Sequence, residues 1–146
     1  MAKKDRYLLP IAVFMLFIKG DEILLIKRSH TGWMDGYYSL PAGGLENNES
    51  IEQAVIRECK EEVDVSVKEE DIKLIHVLHS NINDEKWIGI FFNTMKWEGE
   101  IKVNEPHKHS EIKWVKINEL PENIIPYVKQ SINESQKINS YSEYGW

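Results

Sequence analysis

Residues 43–65 read GGLENNESIEQAVIRECKEEVDV, and the fold turns on how this stretch is read. It opens on two glycines and a polar loop, then passes at Ser50 into an amphipathic run. Ser50 has the chemistry of an N-cap, and Gln53 three residues later completes a capping-box pattern, so a helix is predicted over residues 51–63. At 100° per residue, with Glu58 set to zero, Ile51 falls at about 20°, Ala54 at about −40° and Val55 at about 60°. On the same wheel Glu62 falls at about 40° and Glu61 at about −60°. The face that begins as a core stripe therefore ends as three carboxylates. Like charges three and four residues apart repel by roughly a few tenths of a kcal/mol per pair. They also sit in the last turns, where the helix dipole favours cations, and partial burial adds a further cost.

Two readings follow from the residues alone: a solvated acidic helix end, or a face completed by a divalent cation. Mg²⁺ takes hard oxygen ligands, often one or two carboxylates completed by waters and substrate phosphates. Arg57, one turn before Glu61, can pair with it from the flank but cannot neutralise three glutamates. Just upstream, Leu40-Pro41-Ala42-Gly43-Gly44 makes a glycine-containing strand-to-helix loop. Such a loop either is an ordinary turn or lets the backbone approach an anionic ligand closely.

Working outward, the acidity proves local. The chain carries −6 overall, yet residues 46–71 hold ten acidic against three basic side chains, while the rest holds 14 and 15. A surface that binds a nucleic-acid polymer is a basic patch, so no such partner is expected. Cys59 is the only cysteine, which excludes an intramolecular disulfide and fits a reducing, cytoplasmic setting. Lys3, Lys4 and Arg6 before the apolar run 8–18 imitate an export signal, but no small-residue cleavage site follows. The run is also far shorter than the 20 or so residues that cross a membrane, so no membrane association is expected. Instead, 8–18 and 22–28 read as a hairpin around Gly20-Asp21.

A short strand is expected at 38–40 and a loop at 42–49. Strands at 72–79 and 87–95 flank a polar loop at 81–86, and a further strand covers 111–115. Leu120-Pro121 precedes a second helix over about 122–132. There is no repeat and no linker, so the 146 residues are expected to form one domain. Two helices among strands without regular alternation predict an α/β fold with a mixed sheet.

At fixed spacing, Gly43, Glu49 and Arg57-Glu58-Cys59-Lys60-Glu61-Glu62-Val63-Asp64-Val65 resemble the Nudix box. That signature runs glycine, five residues, glutamate, seven residues, then Arg-Glu-apolar-any-Glu-Glu-any-Gly-apolar. The one departure is Asp64 in place of glycine. A left-handed residue is usual after a helix, and Asp adopts that conformation at a cost of about 1–2 kcal/mol. Cys59 stands at the apolar position as a small hydrophobe. Outside the box, Lys27-Arg28, Trp33 and Pro41-Ala42 before it are similar to family segments. So are Trp97-Glu98-Gly99-Glu100, 112–115 and Glu119-Leu120-Pro121 after it, which extends the likeness over roughly residues 8–130.

The resemblance implies an α/β/α Nudix sandwich and an enzyme that hydrolyses phosphoric anhydride bonds with Mg²⁺ or Mn²⁺. It makes Glu58 and Glu62 the principal metal ligands, Glu61 a third or water-mediated one, and the Ala42 carbonyl a completing ligand. Glu49 and Arg57 would pair and hold the loop against the helix. The general base is left between Glu61 and Glu105. Gly43, Gly44 and Arg28 are the candidate substrate contacts, with a solvated strand-end charge as the alternative for Arg28. His107 and His109 read as a metal pair or as unrelated, and Trp33, Trp87 and Trp97 as base-stacking or core. The aromatic tail 141–146 docks on its own domain or on a dimer partner. The expected substrate is a nucleoside triphosphate, oxidised ones included, giving the monophosphate and pyrophosphate. The alternatives are ADP-ribose or another nucleoside diphosphate derivative, and a non-catalytic nucleotide-sensing domain.

Overall fold

The structure, a computed structural model, describes residues 5–146. Lys3 and Lys4 of the export-like reading, with the rest of 1–4, lie outside the described residues. Strand β1 (Ile11–Lys19) is apolar at nearly every position, and the pleat sends its side chains alternately to two cores. Phe14 and Leu16 enter one; Val13, Met15 and Phe17 enter the other. A strand buried on both faces belongs in the middle of a sheet. There β1 pairs parallel with β6 (Glu85–Thr94) and antiparallel with β4 (Ala42–Gly44), and its last residues pair with β2 (Glu22–Arg28).

The sheet has eight strands in the order β3-β2-β1-β6-β5-β8, with β4 on β1 and β7 on β2. Here β3 is Tyr38–Ser39, β5 is Ile72–Ile82, β7 is His109–Lys116 and β8 is Tyr141–Tyr144. Helix α1 (Ile51–Val63) covers one face through Ala54, Val55, Cys59 and Val63. Helix α2 (Pro126–Gln136) covers the other through Tyr127, Val128 and Ile132. The result is the expected α/β/α sandwich on a mixed sheet. No described helix is long and apolar enough to cross a membrane.

The boundaries differ from the sequence reading where tertiary pairing decides. The loop expected at 42–49 begins as β4, because Ala42, Gly43 and Gly44 pair with Phe14, Val13 and Ala12. The loop expected at 81–86 shrinks to a two-residue turn, with Asn83 and Asp84 at φ 52° and 65°. Two left-handed residues match the strand twist, so β5 and β6 run almost to the tip. The second helix starts at Pro126 rather than near 122. Asn123 accepts the Tyr38 N–H at 2.7 Å and Ile125 donates to the Tyr38 carbonyl at 3.0 Å, so β3 holds this backbone. The aromatic tail docks on its own chain as β8, parallel to β5.

Candidate active site

Helix α1 is fixed at both ends. Ser50 Oγ accepts the Gln53 N–H at 3.1 Å and the Gln53 side chain accepts the Ser50 N–H at 2.9 Å, the predicted capping box. At the other end Asp64 is left-handed at φ 58° and ψ 37°. Lys60 and Lys102 pair with its carboxylate at 2.9 and 3.3 Å, which offsets the cost of a non-glycine residue there. Both ends being pinned, Glu58 and Glu62 of the last two turns face β4. Glu58 and Glu62 are 9% and 6% exposed, whereas Glu61 is exposed. The role of Gly43 follows from this packing. A Cβ at that position would overlap the Glu58 carboxylate as it stands, so a side chain there would displace that carboxylate from beside the loop.

Arg57 gathers the surrounding acids. Its Nε and Nη2 donate to Glu49 at 3.0 and 2.8 Å in a two-point clasp, and Nη2 also reaches the Gly44 carbonyl at 3.0 Å. Its Nη1 donates to Glu58 at 2.8 Å and to Glu61 at 3.3 Å. The pairing of Arg57 with Glu49 across the loop is thus present. The Arg57 bonds, with the Glu46 N–H behind them, hold the Glu49 carboxyl down at about 2. Burial works the other way on the two inner acids. It raises the proton affinity of Glu58 despite Arg57, and raises that of Glu62 well above the ordinary carboxylate range, with the Glu58 charge adding to the effect. Glu62 has one backbone donor, the Ala42 N–H at 3.3 Å.

The loop after Trp97 closes the site. Asn104 donates its N–H to the Glu62 carbonyl at 3.0 Å and its Nδ2 to the Glu61 carbonyl at 3.0 Å, capping the end of α1. That fastening brings the neighbouring Glu105 to the carboxylates, and its charge further raises both Glu58 and Glu62. The Glu105 carbonyl in turn accepts the His109 N–H at 3.0 Å, and His109 is buried with Nε2 at 3.9 Å from Glu62 Oε2. His107 is exposed whereas His109 is buried. Among the described residues, no three His, Cys, Asp or Glu side chains are gathered into a closed cation cluster. Arg57 holds Glu58 and Glu61, and Ala42 holds Glu62.

On the α2 side of β1 lies a cleft of about 440 Å³, lined by Phe14, Trp33, Trp87 and Tyr127 with Asn83 and Glu85 at its rim. Trp33 and Tyr127 lie nearly parallel with ring centres 6.3 Å apart, and Trp87 meets Tyr127 edge-on at 5.0 Å. Trp97 is elsewhere, packed on Phe17 and Trp114. Arg28 joins the cleft to the acidic side: its guanidinium lies 5.1 Å from the Trp33 ring centre. Its Nε donates to the Trp33 carbonyl at 2.9 Å and its Nη2 to Thr31 at 3.0 Å. The sequence reading missed Phe14 and Tyr127 as cleft residues and the place of His109 beside Glu62. The apolar pattern marks the first two only as core, and nothing local to 107–109 points at the helix.

The family model of the NUDIX domain matches residues 8–134, which takes in β1, the box, the Glu105 loop and most of α2. The chain belongs to the Nudix family. As a Nudix hydrolase it cleaves diphosphate bonds, and Nudix hydrolases generally use divalent metals. An 8-oxo-dGTP diphosphatase of Proteus vulgaris is 29% identical over 97 residues, 66% of this chain and 85% of that one. An ADP-ribose pyrophosphatase of Methanocaldococcus jannaschii is 37% identical over 123 residues, 82% of this chain and 70% of that one. The crystal structure of a MutT NUDIX hydrolase from Burkholderia pseudomallei superposes with a TM-score of 0.79 at 25% identity. It covers 87% of this chain and 98% of its own.

Proposed function

We propose that this Nudix hydrolase is a Mg²⁺- or Mn²⁺-dependent pyrophosphohydrolase of nucleoside triphosphates, oxidised ones included, yielding the monophosphate and pyrophosphate. One observation carries the metal dependence: Glu58 and Glu62 are buried side by side with their charged forms disfavoured by burial first, and then by Glu61 and Glu105 at Glu58 and by Glu58 and Glu105 at Glu62. Buried carboxylates of that kind are stable as anions only beside a cation, and hard oxygen donors suit Mg²⁺ or Mn²⁺. The donor set therefore fits the ion, with Glu58 and Glu62 as ligands, Glu61 as a third or water-mediated one, and the Ala42 carbonyl completing it. When bound, such an ion offsets the negative charge of phosphate oxygens and acidifies a coordinated water.

The chain's own residues do the rest. Arg57 and Glu49 lock the Gly43-Gly44 loop over α1, so the backbone meets the phosphates at a fixed height. Glu105 or Glu61 takes the proton of the attacking water; each has a cationic neighbour, Lys108 at 3.5 Å from Glu105 and Arg57 at 3.3 Å from Glu61. Arg28 stands between the aromatic cleft and the acids, where a guanidinium suits phosphate. The cleft's parallel Trp33 and Tyr127 rings favour a flat nucleobase. The lone buried cysteine fits a cytoplasmic setting. ADP-ribose or another nucleoside diphosphate derivative is the second reading, favoured by the 37% identity to an ADP-ribose pyrophosphatase.

The deciding experiment is a panel of nucleoside triphosphates, oxidised triphosphates and nucleotide sugars with Mg²⁺, with products separated by ion exchange. Triphosphates should be the fastest, releasing pyrophosphate. Binding of a nucleotide without any hydrolysis would replace this proposal with a nucleotide-sensing domain.

A further inference from the structure

Beside the carboxylates lies a second cleft, of about 420 Å³, lined by Arg28, His30, Thr31, His107, Lys108 and His109. Nitrogen donors dominate it, and its position is fixed by two contacts. Arg28 stacks on Trp33, which lines the aromatic cleft, so the Arg28–Trp33 pair is a wall common to both clefts. His109 reaches to 3.9 Å from Glu62, so the same cleft opens onto the acidic face of α1. His109 is also 94% buried by virtue of its 6% exposure, and its Nδ1 has no hydrogen-bond partner among the described residues. A buried polar nitrogen without a partner is unfavourable.

We propose that this cleft seats the terminal phosphate of the substrate and so selects triphosphates over nucleotide sugars. The inference rests on the diphosphate-hydrolase reading above and deepens it. With a base against Trp33 and the scissile bridge at Glu58 and Glu62, the remaining phosphate extends past Glu62 toward His109. There Lys108, Arg28 and the exposed imidazoles of His30 and His107 offer charge-assisted and neutral N–H donors. A sugar in the same place brings no negative charge for Arg28 and Lys108 to meet, so it gains less from this wall. In the reaction, water's oxygen bonds to one phosphorus of the α–β bridge and a water proton passes to the base. The P–O bond to the bridge breaks, its electron pair stays on the bridge oxygen, and monophosphate and pyrophosphate part. Glu105, 3.5 Å from Lys108, and Glu62 repel a bare anion, so binding is measured with Mg²⁺ present.

The test compares the wild type with the double variant His107→Gln/Lys108→Met and with His30→Gln, all at exposed positions where folding is not at stake. Inorganic pyrophosphate affinity is read by calorimetry, and kcat/KM is read for dGTP and for ADP-ribose. The double variant should bind pyrophosphate at least fivefold more weakly and lose at least fivefold in the ratio of dGTP to ADP-ribose kcat/KM. His30→Gln should shift both in the same direction. Pyrophosphate affinity within twofold of wild type, or a ratio left unchanged because both substrates suffer alike, overturns the assignment. If the wild type hydrolyses neither substrate, the hydrolase reading fails on its own, and the calorimetry still decides the cleft.

Discussion

Glu62 has one backbone N–H and 6% exposure, and shares its helix face with Glu58, so in the absence of a cation its ionised form is costly. Two outcomes separate at this residue. Glu58→Gln and Glu62→Gln should each lower kcat at least about a hundredfold, because the proposed function makes these carboxylates the metal ligands. Yet Glu62→Gln should raise the metal-free thermal midpoint, since the amide removes a buried charge at the same volume; calorimetry with chelator present reads this. A lowered midpoint would show that Glu62 is already compensated within the protein. Gly43→Ala should lower both midpoint and activity, because its methyl would occupy the space of the Glu58 carboxylate. Glu49 gives the pH dependence. Its folded value of about 2 lies below an ordinary 4.5, so its bond to Arg57 contributes stability above about 4.5 that is lost as pH falls toward 2. Acid unfolding of Glu49→Gln should therefore be shallower over that window than that of the wild type.

At the scale of elements, β8 is a latch on the sheet edge. His76 is fully buried on β5, with its two ring nitrogens bonded to the Asn139 carbonyl at 2.8 Å and to Ser142 Oγ at 2.7 Å. Gln130 of α2 donates to Ser142 Oγ at 3.2 Å and to the Glu143 carbonyl at 2.9 Å, and Trp146 donates its indole N–H to the His79 carbonyl at 3.0 Å. Ending the chain after residue 139 strips His76 of one partner and uncovers the β5 edge. The midpoint should fall by roughly 5 °C or more, read by circular dichroism, since a buried imidazole left short of a partner costs on the order of 1–3 kcal/mol. An unchanged midpoint would mean that β8 rests on the edge without holding it.

For the whole molecule, the charge of −6 is concentrated where a polyanion must be cleaved. On the proposed function a bound cation offsets that charge, and a ligand that binds the native state alone stabilises it by about 2.7 kcal/mol at a hundredfold excess over Kd. Saturating Mg²⁺ should therefore raise the wild-type midpoint by several degrees. The double variant Glu58→Gln/Glu62→Gln should show no such rise. A rise of equal size in both proteins would place the ion elsewhere.

The α1 helix, its capping box, the acidic face and the Arg57 pairing were all legible locally, because each depends on residues within one or two turns of one another. The pairing with Glu49 was added by the family resemblance, and the structure places it across the loop. Other features were out of reach of any local pattern. Ala42–Gly44 is a strand only because β1 offers it an edge. The tail became β8 for the same reason at β5. Tyr127 and Phe14 look like core in sequence and line a cleft because the fold brings the start of α2, strand β1 and the β5–β6 tip together. His109 lies 47 positions from Glu62 in the chain, and only the β2–β7 pairing with the Asn104 cap sets it beside that carboxylate. The sequence by itself determined the chemistry of the acidic helix, since periodicity and charge repulsion act over a few residues. The tertiary structure decided what surrounds it, since which strand edges pair and which side chains share a cleft depend on contacts far apart in the chain.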